Sequence, residues 1–168
     1  IYTEGIANIT VEDIRFASEL GYRIKHLGIT TRSELGIELR VHPTLVEKTH
    51  LLAQVNGVMN AVLVDSDAAG QTLYYGAGAG AGPTGSSVVA DIIDIARNFP
   101  DGQRIPNLGF EPEALLDLPI LSINETRSCH YLRLQVLDRP GVLARISTIM
   151  AQHNISIESL IQKDVRKT

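Results

Sequence analysis

The stretch Tyr75-Gly76-Ala77-Gly78-Ala79-Gly80-Ala81-Gly82-Pro83-Thr84-Gly85-Ser86-Ser87-Val88 joins a segment of strand character to one with helical spacing. Glycine loses more entropy on ordering than any other residue, so a folded chain gathers this many only where backbone must approach something closely. A strand, a glycine loop over 76–87 and a helix N-terminus together present open N–H groups and a positive dipole end, which suits a dinucleotide or a carboxylate. Within the run, Gly80-Ala81-Gly82-Pro83-Thr84-Gly85 satisfies G-x-G-x-x-G. The dinucleotide fingerprint also needs a second parallel strand ending in an acid about twenty residues on. Here the chain instead enters Asn98-Phe99-Pro100-Asp101-Gly102, and Pro83 lacks one of the N–H donors a pyrophosphate would use. Three readings stand: a dinucleotide turn, a purely structural bend, and a loop touching a ligand held mainly by another domain. The third fits the surroundings best.

Working outward, Asn8-Ile9-Thr10 before Val11-Glu12-Asp13 marks a helix start with Thr10 as N-cap, and Val11, Ile14, Ala17 and Leu20 keep helical spacing until Gly21. Tyr22 to Thr31 alternates imperfectly, whereas Ile37, Leu39 and Val41 alternate cleanly with Glu38 and Arg40; the two are expected to pair across Glu34-Leu35-Gly36, with Pro43 closing the second. Leu51 to Val55 reads as a short helix. Val58 to Val64 reads as a buried strand, Asp65 to Gly70 as its turn and Gln71 to Tyr75 as its partner. Beyond the glycine run, Val88, Val89, Ile92, Ile93 and Ile95 form the apolar stripe of a helix ending near Arg97-Asn98.

Pro100, Pro106, Pro112 and Pro119 then break any regular pattern, so residues 99–127 read as a linker. After it, Leu132, Leu134 and Val136 alternate as a strand. Asp138-Arg139-Pro140-Gly141 follows as cap, helix-opening proline and glycine, and Leu143, Ile146 and Met150 lie on a helix that Asn154 stops before a strand at Ile155-Ser156-Ile157. This strand, helix and strand make a split βαβ half-unit. The expected fold class is α+β, a mixed sheet with helices on one face followed by that half-unit.

Composition narrows the functional classes. With 168 residues, 44% hydrophobic and 20% charged, the chain is globular in character and can bury a core as one domain or two small ones. A net charge of -4 and the lack of a basic run interleaved with aromatics argue against nucleic acid as a partner. One cysteine, Cys129, gives no disulfide framework, and no stretch has the length of a membrane span, so a reducing cytoplasm is expected. The start at Ile1 and the end at Lys167-Thr168 read as those of a fragment.

Acid-base candidates are Glu4, Lys25, Asp65, Asp67 and the histidines His26, His42, His50, His130 and His153, and no spacing forces two of them together. His42 and His50 read as loop or cap residues, Asp65 and Asp67 as turn formers, and Lys25 as a solvated strand residue. Paired-cysteine and H-x-x-x-H spacings are absent, so no metal is expected. At the Asp138–Gly141 junction, good turn chemistry competes with a helix N-terminus that accepts an amino-acid carboxylate.

Several motifs in order carry a resemblance. Thr3-Glu4-Gly5-Ile6, Glu19-Leu20-Gly21-Tyr22-Arg23-Ile24-Lys25-His26-Leu27-Gly28, Arg40-Val41-His42-Pro43, Val55 to Val62, Tyr75 to Thr84 and Ser87 to Asp91 resemble the later part of the homoserine dehydrogenase catalytic domain. From Tyr131, with Leu137-Asp138-Arg139-Pro140-Gly141-Val142-Leu143-Ala144, the chain resembles the opening of an ACT domain, a small ferredoxin-like amino-acid-binding module. The resemblance implies residues 1–98 as part of the substrate and dimerisation domain and 128–168 as the first half of the ACT domain. It implies an NAD(P)-dependent oxidoreductase interconverting aspartate semialdehyde and homoserine, with cofactor, NADP or NAD, and the substrate-handling lysine and acids outside this chain. Gly80 matches a position that lies against the cofactor, with Gly78 and Ala79 as its neighbours in the cofactor-binding loop, whereas Lys25 does not match the catalytic lysine. Gly85 departs from the alanine usual there, which loosens the helix start. Asp138, Gly141 and Asn154 match an effector site, with threonine as the expected feedback effector, and a homo-oligomer is expected. An alternative of another class is a non-enzymatic amino-acid sensor using the first hundred residues or so to dimerise, and a third is a minimal nucleotide-binding domain.

Overall fold

The computed structural model describes residues 1–98 and 116–163. It opens with a two-residue strand, β1 (Tyr2–Thr3), and a helix, α1 (Val11–Glu19). Thr10 caps α1 as its position predicts. Its hydroxyl accepts the Asp13 N–H at 3.3 Å while the Asp13 carboxylate takes the Thr10 N–H at 2.8 Å, satisfying two donors that a helix start otherwise leaves open. Gly21, at φ 89°, ends the helix as expected.

The strands β2 (Tyr22–Arg32) and β3 (Ile37–Glu47) pair antiparallel from Tyr22↔Glu47 to Arg32↔Ile37. Contrary to the sequence expectation, Pro43 does not close β3. The outer edge of β3 explains this: Val41 O accepts the Glu4 N–H there at 2.8 Å, and Pro43, two residues on, turns its nitrogen to the same side, beyond the Tyr2↔Arg40 and Thr3↔Val41 pairing with β1. A missing N–H facing an open edge removes no ladder bond. Further back on that edge, Ile37 N–H donates to Pro119 O and Leu121 N–H to Ile37 O, both at 2.9 Å, so two distant pieces of chain line β3. Gly36 makes the second approach possible, because at its φ of 149° a Cβ would lie 2.3 Å from the Pro119 carbonyl oxygen.

Leu51–Gln54 forms a 3-10 turn, and His50 caps it as expected, its Nδ1 accepting the Leu52 N–H at 3.2 Å. With α1 packed on β2 and this turn packed on β2 and β3, Ala17, Val46 and Ala53 become the buried core of the layer. The strands β4 (Met59–Ser66) and β5 (Gly70–Ala77) form a separate antiparallel hairpin, its turn closed by the Asp67 carboxylate accepting the Ala68 N–H at 2.7 Å. The helix α2 (Ala81–Asn98) follows. The chain is α+β as expected, with the sheet divided into a mixed three-stranded part, ordered β1-β3-β2, and the β4-β5 hairpin.

In the C-terminal stretch, α3 (Val142–Gln152) lies where the periodicity puts it. Its N-cap is Gly141, so Asp138 does not cap it and Pro140 falls in the preceding turn, where Val142 N–H reaches Arg139 O at 3.3 Å. Asn154, at φ 56°, ends α3 in a Schellman motif, with Ile155 N–H on Met150 O at 2.9 Å and its own N–H on Ala151 O at 3.0 Å. The segments Leu132–Val136 and Ile155–Ile157, expected as strands, carry no backbone ladder among the described residues. A strand persists only by pairing, and in a split βαβ unit the two strands leave a slot between them for a third. Most of the expected linker, residues 99–115, lies outside the described residues, as do residues 164–168. Among the described residues no helix is long and apolar enough to cross a membrane.

Candidate functional site

Because β5 runs to Ala77 and α2 begins at Ala81, only Gly78, Ala79 and Gly80 cross between them. The loop expected over 76–87 is therefore much shorter. Gly76 pairs with Asn60 and Ala77 with Met59, while Thr84 N–H donates to Gly80 O at 3.1 Å and sets the helical register. Ladder and helix bonds outweigh the weak propensity of glycine. Gly82 and Gly85 of the embedded G-x-G-x-x-G thus lie within α2, and Pro83 sits in its first turn, where a proline breaks no helical bond.

The crossing is fixed on one side and open on the other. Gly78 N–H donates to Val58 O at 3.3 Å, and a Cβ on Gly78 would lie 2.0 Å from Asn60 Nδ2, so the Asn60 side chain occupies the space a larger residue would need. Gly80 holds φ at 119°, and all three residues of the crossing are exposed. The first-turn N–H groups of Ala81 and Gly82 have no acceptor within the helix, and the positive end of an 18-residue helix stands behind them. Such an end binds an anionic or carbonyl group through backbone alone. Asn60 escaped the sequence reading, although it is the one polar residue inside the apolar run Val58–Val64.

Tertiary structure also gathers groups that no spacing brings together. The Tyr2 hydroxyl donates to Glu4 at 2.9 Å, and that bond, with lesser help from desolvation and the Glu4 charge, raises the phenol pKa. His26 Nε2 lies 3.1 Å from Glu4 O, and the His42 ring meets Tyr2 edge-on at 6.1 Å. His42 is a strand residue rather than a loop residue, since β3 passes through it. Lys25 is not simply solvated: its ammonium is pinned by Val55 O and Asn56 Oδ1. His130, His153 and Cys129 are exposed, and among the described residues no group of His, Cys, Asp or Glu could hold a metal. A shallow hollow along Ala90, Asp91, Ile93, Asp94 and Arg97 is formed by α2 alone, away from the crossing.

The homoserine dehydrogenase family model matches residues 1–93, more than half of the chain, and the ACT domain model matches residues 130–168. The chain belongs to the homoserine dehydrogenase family. It is 55% identical to the homoserine dehydrogenase of Pseudomonas aeruginosa over 168 residues, which is 99% of this chain and 39% of that protein. It is likewise 55% identical to that of Neisseria gonorrhoeae over 166 residues, 98% of this chain and 38% of that protein. The crystal structure of a homoserine dehydrogenase from Thiobacillus denitrificans superposes over 96% of this chain and 38% of that one, with TM-score 0.86 and 56% identity. The chain thus spans under two fifths of the length of these relatives. Homoserine dehydrogenases are oxidoreductases that generally use a nicotinamide cofactor.

In the part of the chain matched by the ACT domain model, Asp138 and Gly141 stand before α3, and Asn154 stands just beyond its far end. At a rise of 1.5 Å per residue, Gly141 and Asn154 lie about 20 Å apart along the helix axis. The fold brings Gly78, Ala79 and Gly80 into one crossing and leaves the three ACT residues at opposite ends of one helix.

Proposed function

We propose that this chain supplies one wall of the cofactor site and the opening half of the regulatory domain of an NAD(P)-dependent homoserine dehydrogenase. The observation that carries the reading is the Gly78-Ala79-Gly80 crossing, exposed at the start of α2, with side-chain bulk excluded at Gly78 by Asn60 and the Ala81 and Gly82 N–H groups without an acceptor inside the helix. These features fit a cofactor held chiefly by another domain: the backbone comes close and donates, and Pro83 leaves one donor fewer than a phosphate cradle of its own would need. When bound, a nicotinamide accepts or gives the hydride that interconverts L-homoserine and L-aspartate semialdehyde. The work of this chain is to bind and orient it through Gly78, Ala79 and Gly80. Residues 1–98 act as the substrate and dimerisation part, 99–127 as linker and 128–168 as the ACT part, and Asp138, Gly141 and Asn154 serve an amino-acid effector, threonine, in threonine and methionine biosynthesis in the cytoplasm. Because Gly141 and Asn154 lie at opposite ends of α3, a site using both draws on a second copy of the unit, which supports a homo-oligomer.

The full-length enzyme is expected to reduce NAD(P) with homoserine, and the 168-residue chain alone is expected to do nothing measurable. In the full-length enzyme, Gly80→Ala forces a side chain onto φ 119° and is expected to raise the KM for cofactor several-fold with less effect on the KM for homoserine. Turnover by the chain alone would place the essential groups within it, and a Gly80→Ala enzyme with unchanged cofactor KM would remove the crossing from the site.

A further inference from the structure

Asp13 does two jobs with one carboxylate. Its Oδ2 accepts from the Thr10 N–H at 2.8 Å and the Thr10 hydroxyl at 2.7 Å, closing the cap of α1. Its Oδ1 accepts from the Tyr131 hydroxyl at 3.1 Å and meets Arg133 Nε at 2.8 Å, across more than a hundred residues of sequence. At the other end of the same helix, Glu19 is paired by Lys163, whose ammonium also stands 5.7 Å from the centre of the Phe16 ring. The last turn of α1 carries no basic residue of its own, so Lys163 brings a cation to the negative end of that helix.

The two arms that hold α1 are the segments flanking α3. Tyr131 and Arg133 lie just ahead of the Asp138–Gly141 turn, and Lys163 lies beyond Asn154. Both arms therefore lead from the candidate effector residues to one helix of the other part of the chain. Asp13 is only 6% exposed, and a buried carboxylate stripped of half its partners is a costly group, so the cap of α1 cannot stay indifferent to where Tyr131 and Arg133 stand. The same helix packs against β2, where Lys25 holds Val55 O and Asn56, two residues short of the Val58 carbonyl that receives the Gly78 N–H.

We propose that the Asp13–Tyr131–Arg133 clamp, seconded by Glu19–Lys163, is the tie through which effector binding to the C-terminal unit acts on α1 and the glycine crossing. This rests on the reading of that unit as regulatory. Asp13, Tyr131 and Arg133 act as positioning residues, and none of them touches cofactor or substrate in this scheme.

The test uses the full-length enzyme with threonine as the probe, comparing wild type with Tyr131→Phe and Arg133→Met, which leave the Thr10–Asp13 cap in place. Threonine binding is followed by calorimetry, inhibition by homoserine-dependent NAD(P) reduction, and the α1 amides by hydrogen exchange. In the wild type, threonine is expected to bind, inhibit and alter exchange across residues 11–20. Each variant is expected to keep its basal kcat within about twofold and its threonine binding, while the inhibition weakens at least several-fold and the exchange change in α1 disappears. Arg133→Lys is expected to restore part of the response. Variants that bind threonine and respond like wild type overturn the clamp and leave the regulatory reading standing. A wild type that binds no threonine overturns that reading and the clamp with it.

Discussion

At the scale of single residues, the glycine-alanine run is less uniform than it reads. Gly78 is required by a neighbour, since the Asn60 side chain stands where a Cβ would go, whereas Gly82 and Gly85 have open space around them and lie in a helix. The two kinds of glycine predict different mutational outcomes. Gly78→Ala is expected to cost on the order of 1–3 kcal/mol, because the short Asn60 side chain has to swing away and the crossing has to shift. Combining it with Asn60→Ala is expected to recover much of the loss, as clashing neighbours are not additive. Chemical denaturation of the two single variants and the double variant in the full-length enzyme measures this, and strictly additive values would show that Asn60 does not hold the crossing.

At the scale of elements, α1 depends on groups from outside itself. Burial raises the Asp13 pKa, but the Thr10 hydroxyl and N–H, the Tyr131 hydroxyl and the Arg133 charge together outweigh it and hold the carboxyl below its ordinary value. Tyr131 is pushed the other way, by burial first and then by its bond to the Asp13 carboxylate and that negative charge, with Arg133 opposing. The signs follow from linkage. A carboxyl lowered in the folded state contributes stability that is present above its unfolded pKa and is lost as pH falls through the folded value. A phenol raised in the folded state contributes stability that is present below its unfolded pKa and is lost as pH rises through the folded value. Protection of the α1 amides, taken relative to the intrinsic exchange rate at each pH, is therefore expected to be flat near neutrality, to fall below about pH 4, and to fall again above about pH 10, where those groups ordinarily titrate. Asp13→Asn is expected to flatten the acid limb, and an acid limb unchanged by that variant would assign the loss to other carboxylates.

At the scale of the whole molecule, the described residues bury very little. The buried apolar residues among those described are Ala17, Val46 and Ala53, while Val62 of the hairpin and Ile92 of α2 stay about three-fifths exposed and Tyr74 of the hairpin about two-thirds. Apolar faces of that extent mark surfaces that another body covers. The 168-residue chain by itself is expected to self-associate and to bind a hydrophobic dye, and a monodisperse monomer in light scattering with a sharp thermal transition would count against this. Much of the local structure was legible in the sequence, because it is written in short-range chemistry: Thr10 and Asp13 cap a helix, Gly21 ends it, Asp67 closes a turn, and Asn154 stops α3. The family was legible for the same reason, as motifs in order. Other features were decided by contacts across long stretches of chain. Pro43 stays inside a strand because β3 has an open outer edge there, and Pro119–Leu121 docks against Ile37 because Gly36 has no Cβ. The glycine run shrinks to three crossing residues because β4 and the helical register claim the rest, and Asp13 reaches Tyr131 and Arg133 only once the chain has folded back on itself. Caps and turns depend on residues a few positions apart, whereas edges, crossings and clamps depend on partners that sequence separation hides.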